Sequence, residues 1–216
     1  MPPLRVRTSK LPYDPGVARK HLIRVDPVLG RLVKELGPFD LRRRGTPYQS
    51  LIRALLYQQL AGAAAATIER RVLALFGGRV PEPAELLLTT PDQLRSCGVS
   101  RQKASYLHSL AEHFSNGEIN ARSLVRLPDD EVIAQVTKVK GIGRWTADML
   151  LMFSLGRPDV LPVGDLGIQK AIQDVYALEK LPDPKTMLDI AEPWRPYRTA
   201  ASWYLWRRRD DPEMDW

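Results

Sequence analysis

The chain has 216 residues, 44 % of them hydrophobic, enough for one compact unit with a real core or for two small lobes sharing one. Its net charge of +7 favours a polyanion such as nucleic acid without naming one. The single cysteine, Cys97, excludes an intramolecular disulfide and a four-cysteine iron–sulfur cluster, and no run of apolar residues is long enough for a membrane-spanning helix.

The opening stretch, MPPLRVRTSKLPYD, lacks the apolar centre of a secretion signal. An intracellular protein is expected, cytoplasmic and nucleoid-associated if bacterial. Its first dozen residues, basic and proline-containing, read as an extended or poorly ordered arm. Helical patterns follow over Gly16 to Val25 and after Asp26-Pro27, where Val28, Leu29, Leu32, Val33 and Leu36 share a face until Gly37-Pro38. Arg42-Arg43-Arg44 is a basic loop, more in the manner of a solvated face than of a phosphate clamp.

Thr46-Pro47-Tyr48-Gln49 is a helix start, with Thr46 as N-cap, Pro47 at the first helical position and Gln49 closing a capping box. Leu51, Ile52, Leu55, Leu56 and Leu60 make the buried stripe of that helix. After Tyr57-Gln58-Gln59-Leu60 the pattern breaks at Ala61-Gly62, and a new helix runs from Ala63 to Phe76, closed by Gly77-Gly78. Thr90-Pro91-Asp92-Gln93 repeats the cap grammar for a short helix up to Gly98. Ser100 caps the next, where Ala104, Leu107, Leu110, Ala111 and Phe114 recur until Asn116-Gly117. His108 and His113 lie five positions apart on it, too far round the helix for a metal pair. With no strand pattern or internal repeat, the fold is expected to be all-α.

After Leu127-Pro128, Asp129 is expected to cap a helix over Asp130 to Lys138, and a strongly apolar one spans Thr146 to Leu155. Between them, Lys140-Gly141-Ile142-Gly143 can form a tight turn whose amides face outward while Ile142 plugs the helix pair together. Such a turn before a helix suits a phosphate. About twenty residues on, Pro162-Val163-Gly164-Asp165 sets a lone carboxylate before a helical run from Leu166 to Leu178, where it favours a negative charge. The C-terminal segment begins near Pro184 and culminates in an aromatic-rich helix from Trp194 to Trp206.

Taken singly, a Gly-x-Gly turn is a connector and an Asp before a helix is an N-cap. Taken together, in this order and spacing, they resemble the helix-hairpin-helix plus Gly/Pro…Asp signature of the HhH-GPD base-excision DNA glycosylase superfamily. Gly141-Ile142-Gly143-Arg144-Trp145-Thr146-Ala147 is most similar to its 3-methyladenine DNA glycosylase II branch, and the resemblance extends from about Thr46 to Trp206. It implies two helical lobes, about 46–160 and about 1–45 plus 161–216, with the active site in the cleft between them; no N-terminal β domain is expected in this chain.

The resemblance also implies an activity. It would be hydrolysis of the N-glycosidic bond of a flipped-out alkylated base, 3-methyladenine or 7-methylguanine, with hypoxanthine and ethenoadenine as further candidates. Asp165 would be the catalytic carboxylate, and Trp145, Trp206, Met149 and Leu166 would line the base pocket. Gly141, Ile142, Gly143, Lys140, Arg144 and Thr146 would contact DNA, and Gln58, Gln59 and Leu60 would supply the wedge that enters the duplex. No cofactor is required by the resemblance, although Thr137 and Val139 carbonyls could hold a Na+ or K+ ion at the hairpin. Bifunctional relatives carry a Schiff-base lysine where Trp145 stands, so a monofunctional enzyme is expected.

Three features depart from the bacterial pattern. Lys140 replaces the usual proline before the hairpin glycine, Met149 and Leu166 replace pocket tyrosines, and the β domain is missing, which makes the chain similar to the fungal-type form. Losing both tyrosines either widens the pocket for bulkier adducts or weakens stacking and restricts the enzyme to cationic bases that leave easily. Double-stranded DNA with damaged bases is the expected partner, a monomer the expected state. The competing readings are a non-catalytic helix-hairpin-helix DNA-binding module and a glycosylase for oxidised or mismatched bases, the latter disfavoured by Trp145 and by the missing cysteine cluster.

Overall fold

The computed structural model describes residues 8–60 and 62–208. In chain order these form β1 (Thr8–Ser9), α1 (Pro15–Val25), α2 (Pro27–Leu36), β2 (Arg43–Arg44), α3 (Pro47–Tyr57), α4 (Gly62–Ala74), α5 (Pro83–Leu88) and α6 (Pro91–Ser96). There follow α7 (Arg101–Ser115), α8 (Ala121–Leu124), α9 (Asp129–Val136), α10 (Arg144–Met149), a π-helical segment Leu150–Leu155, α11 (Leu166–Val175), α12 (Pro184–Ala191), a 3-10 turn Glu192–Trp194 and α13 (Arg198–Arg208). The fold is all-α; among the described residues the only strands are two residues long. Of the arm expected over the first dozen residues, residues 1–7 lie outside the described ones.

Local side-chain chemistry sets most helix starts. Thr46 and Thr90 each accept from the amide three residues on while Gln49 and Gln93 reach back to the cap amide, and Ser100 caps α7 through the Lys103 amide. The cap of α9 differs from expectation. Pro128 occupies it, and Asp129 is already the first helical residue, with Asp130 and Glu131 completing an acidic first turn. Helix α11 also stops short of Leu178: Tyr176 leaves the helical region, Ala177 turns left-handed at φ 51°, and the Leu178 amide returns to the Gln173 carbonyl. Two helices lacked an apolar period to announce them. The first, α5, rests on a Glu82/Glu85 capping box, and α8 on the Asn120 side chain.

By packing, Arg44–Leu150 belong to one compact unit, and Ser9–Arg43 with the chain from Leu151 onward to another. In the first unit α3 lies against α4, α7, α8 and α10, and α5 and α6 against α7. Leu51, Leu55 and Leu56 of α3 and Leu107 and Leu110 of α7 are sealed from solvent, with the Tyr48 and Phe114 rings 4.9 Å apart beside them. Burial of such side chains stabilises by roughly 1.5–3 kcal/mol each before conformational entropy is set against it.

The second unit packs α1 on α2, and α13 against α1, α2 and α11. Its polar centre is Asp26, which caps α2 through the Val28 and Leu29 amides and accepts from the Trp194 indole at 2.8 Å and from the Tyr176 hydroxyl. Burial alone would push this carboxyl up. The four hydrogen bonds, those from Trp194 and Tyr176 foremost, outweigh it and hold Asp26 below its ordinary value. A depressed folded value means that the stabilisation is complete above the unfolded-chain value of about 3.9 and is lost as pH falls through the folded one. Acid titration of stability, followed by circular dichroism, should therefore steepen below about pH 4. Asp26→Asn, weaker at neutral pH, should flatten that acid limb.

Candidate functional site

The hairpin is built within the first unit. Helix α9 ends at Thr137, whose hydroxyl turns back to the Ile133 carbonyl, and the Ile142 amide donates to the Val139 carbonyl at 3.0 Å. Gly141 sits at φ 86°, a conformation that favours glycine, and a Cβ there would stand 2.2 Å from Cδ2 of the Tyr106 ring. Ile142 is buried as the plug between the helices. Gly143 is the N-cap of α10 in extended backbone at φ −98°, and nothing lies within 4 Å of where its Cβ would be. The two glycines thus have different reasons: one is required by the turn, while the other leaves a clear surface.

Around the turn, Lys140 is exposed, and its amide donates to the Ser109 hydroxyl at 3.4 Å. Arg144 is outward, but its Nε donates to Asp148 at 2.9 Å, so part of its guanidinium is engaged. Burial pushes the Asp148 carboxyl up, and Arg144 pulls it only part of the way back. Thr146 is buried, and its hydroxyl accepts from Gln58 at 3.3 Å. Trp145 is half-buried and Met149 is 2 % exposed, deep in the packing.

The Gln58–Leu60 loop follows α3. Leu60 is not part of a buried stripe: α3 ends at Tyr57, Gln58 turns the chain at φ −51°, ψ 129°, and Leu60 is 39 % exposed. The two glutamines separate here. Gln58 points its amide back, donating to the Gly141 carbonyl at 2.9 Å as well as to Thr146. Gln59 holds a left-handed backbone at φ 55°, rare for a residue with a side chain.

In the second unit, Asp165 is the N-cap of α11 and is 8 % exposed. Its Oδ1 accepts from the Ile168 amide at 2.8 Å and from the Trp206 indole N–H at 3.1 Å. Gly167 makes room for the pair, since a Cβ there would meet Oδ1 at 3.0 Å and the Trp206 ring at 3.5 Å. Trp206 stacks on Phe153, with centroids 5.8 Å apart. Phe153 lies in the π-helical segment, whose bonds span one residue more than an α-helix. The neighbouring Ser154 hydroxyl is buried with no hydrogen-bond partner among the described residues. Leu166, by contrast, is 53 % exposed.

A glycine turn between α9 and α10, followed by a buried carboxylate at the N-cap of α11, is the order the signature requires, and residues 52–196 match the family described as HhH-GPD superfamily base excision DNA repair protein. The chain belongs to the HhH-GPD superfamily. It is 40 % identical to DNA-3-methyladenine glycosylase 1 of Schizosaccharomyces pombe over 88 % of this chain and 86 % of that protein. The solved structure of the Schizosaccharomyces pombe 3-methyladenine DNA glycosylase (Mag1) in complex with abasic DNA superposes with a TM-score of 0.84 at 38 % identity, covering 91 % of this chain and 98 % of that one. A DNA-3-methyladenine glycosidase from Bacillus halodurans gives a TM-score of 0.81 at 34 % identity, covering 96 % and 94 %.

Within this HhH-GPD chain, several participants carried no readable signal in the sequence. Tyr106, Phe153 and Gly167 are ordinary members of helical patterns, and only tertiary contact reveals that they shape the turn and the carboxylate's surroundings. Among the described residues no cluster of three or more His, Cys, Asp or Glu could hold a metal ion, and no helix is long and apolar enough to cross a membrane. His108 and His113 bond instead to the Thr89 and Ser109 carbonyls.

Proposed function

We propose that this HhH-GPD protein is a monofunctional DNA glycosylase of the 3-methyladenine type II kind, hydrolysing the bond between an alkylated base and its deoxyribose to leave an abasic site. The observation that carries the reading is Asp165: a carboxylate largely withdrawn from water, fixed through one oxygen by an amide and an indole. As the C1′–N bond breaks, the base departs with the electron pair and the sugar takes on oxocarbenium character. A fixed carboxylate stabilises that positive charge and accepts the proton of the water whose oxygen bonds to C1′. The base must first leave the stack, which costs a few kcal/mol and least for a damaged, weakly paired base. A cationic alkylpurine gains from indole faces, the role assigned to Trp145 and Trp206. The absence of a lysine at position 145 supports the monofunctional assignment.

The hairpin would grip the phosphates through the Gly141 and Gly143 amides, with charge from Lys140 and from the outward part of Arg144. Thr137 and Val139 would offer a monovalent cation their main-chain oxygens, the Val139 oxygen being shared with the Ile142 amide. Met149 is deeply buried, whereas Leu166 is accessible enough to touch a bound nucleoside. Because the Cβ of an alanine at 143 meets nothing in the protein, Gly143→Ala should leave thermal stability within about 0.5 kcal/mol. It should still weaken binding of duplex DNA, measured by fluorescence anisotropy, by crowding the nearest phosphate.

The test is incubation with duplex DNA carrying 3-methyladenine or 7-methylguanine. Free base should appear by chromatography, with the strand intact until alkali cleaves the abasic site. Salt-dependent DNA binding without release would replace the enzyme with a phosphate-gripping binding module, and strand cleavage without alkali would remove the monofunctional assignment.

A further inference from the structure

The carbonyls left over where α3 ends converge on one side chain. Leu60 donates its amide to the Tyr57 carbonyl rather than to that of Leu56, so the Leu56 oxygen lacks its helical partner. Lys103 Nζ takes it at 2.7 Å and takes the Gln58 carbonyl at 2.7 Å as well. Lys103 stands in the first turn of α7, whose Leu107, Leu110 and Ala111 are sealed in the core. The ammonium therefore projects from a rigid base. Burial pushes its pKa down, the cost of holding a cation beneath a loop instead of in water.

The Gln58–Leu60 loop forms one wall of an open-sided cavity. This cavity, of about 210 Å3, separates the loop from Ile68, Gly98 and Val99 and reaches Lys103. What spans the gap is polar: the two Lys103 bonds, and the Gln58 amide on Gly141 and Thr146. Gln58 is thus tied by its backbone to α7 and by its side chain to the hairpin, leaving left-handed Gln59 and exposed Leu60 as the forward part.

We propose that Lys103 is a positioning residue, holding the Gln58–Leu60 loop in the form that enters the duplex, with Gln58 as a second tether and Gln59 and Leu60 as the inserted pair. This rests on the glycosylase reading. Without the clamp the loop would relax toward the cavity beneath it, and DNA would still bind but extrusion of the base would slow.

Lys103→Met keeps an unbranched apolar stem only one atom shorter and removes both bonds. In it, single-turnover base release is expected to fall about 10–100-fold, the range of a misplaced positioning group. The fluorescence rise of 2-aminopurine beside the lesion should slow in step. The slope of log affinity against log salt should stay as in wild type, and placing the lesion opposite an abasic analogue, where it is already unpaired, should recover most of the rate. Gln58→Leu should reproduce the loss from the other tether, which keeps the test available if Lys103→Met does not fold. A salt slope lowered by about one would make Lys103 a phosphate contact and overturn the proposal. So would wild-type release and fluorescence kinetics in both variants. A wild type that releases no base would overturn the glycosylase reading and this proposal together, an outcome distinct from the other two.

Discussion

Asp165→Asn should slow base release by about 10²–10⁴-fold while leaving the fold and DNA affinity in place. Asparagine is an equally good N-cap, and its carbonyl oxygen can still accept from the Ile168 amide and the Trp206 indole, so α11 and the stacked Phe153–Trp206 pair have no reason to move. What disappears is the negative charge. A neutral amide neither balances an oxocarbenium-like sugar nor accepts a proton from water, and removal of such a group costs about 10²–10⁴-fold. Single-turnover release of 7-methylguanine, read beside anisotropy on an abasic-site duplex, separates the two effects. Release within a factor of a few of wild type would remove Asp165 from the chemistry.

Gly141→Ala should be the most damaging substitution in the hairpin. Two penalties add. Glycine adopts φ 86° freely, whereas a residue with a Cβ loses on the order of 1–2 kcal/mol there. The new methyl would also stand 2.2 Å from the Tyr106 ring, and overpacking of that kind costs typically 1–3 kcal/mol. The Gly141 carbonyl anchors Gln58, so the wedge loop should loosen with the turn. Denaturant melts should place the loss at roughly 2–5 kcal/mol, the sum of the two, with DNA affinity falling in parallel. Adding Tyr106→Ala should return the steric share but not the conformational one, which makes the double-mutant comparison decisive. A Gly141→Ala protein as stable as wild type would mean that the turn tolerates another path.

Legibility followed the range of the interactions. Caps at Thr46, Thr90 and Ser100 were readable because each is closed within three residues, and the all-α class followed from apolar periods that many residues repeat. Gly141 and Asp165 were found by their order along the chain. The sequence could not distinguish Gln58 from Gln59, since the difference lies in a carbonyl 83 positions away and in one left-handed dihedral. Lys103 was invisible for the same reason, its bonds reaching back 47 and 45 positions. The π-helical segment had no signature either, because its apolar run satisfies either helical period.

The second unit is discontinuous: Ser9–Arg43 precede the first unit in the chain, and their partners from Leu151 to Arg208 follow it. The glycine turn and its Tyr106 backing both precede Asp165 in the chain, whereas the indole that holds Asp165 lies 41 positions after it. A polypeptide truncated just before Trp206 would therefore keep every residue of the hairpin and lose the indole donor of its carboxylate.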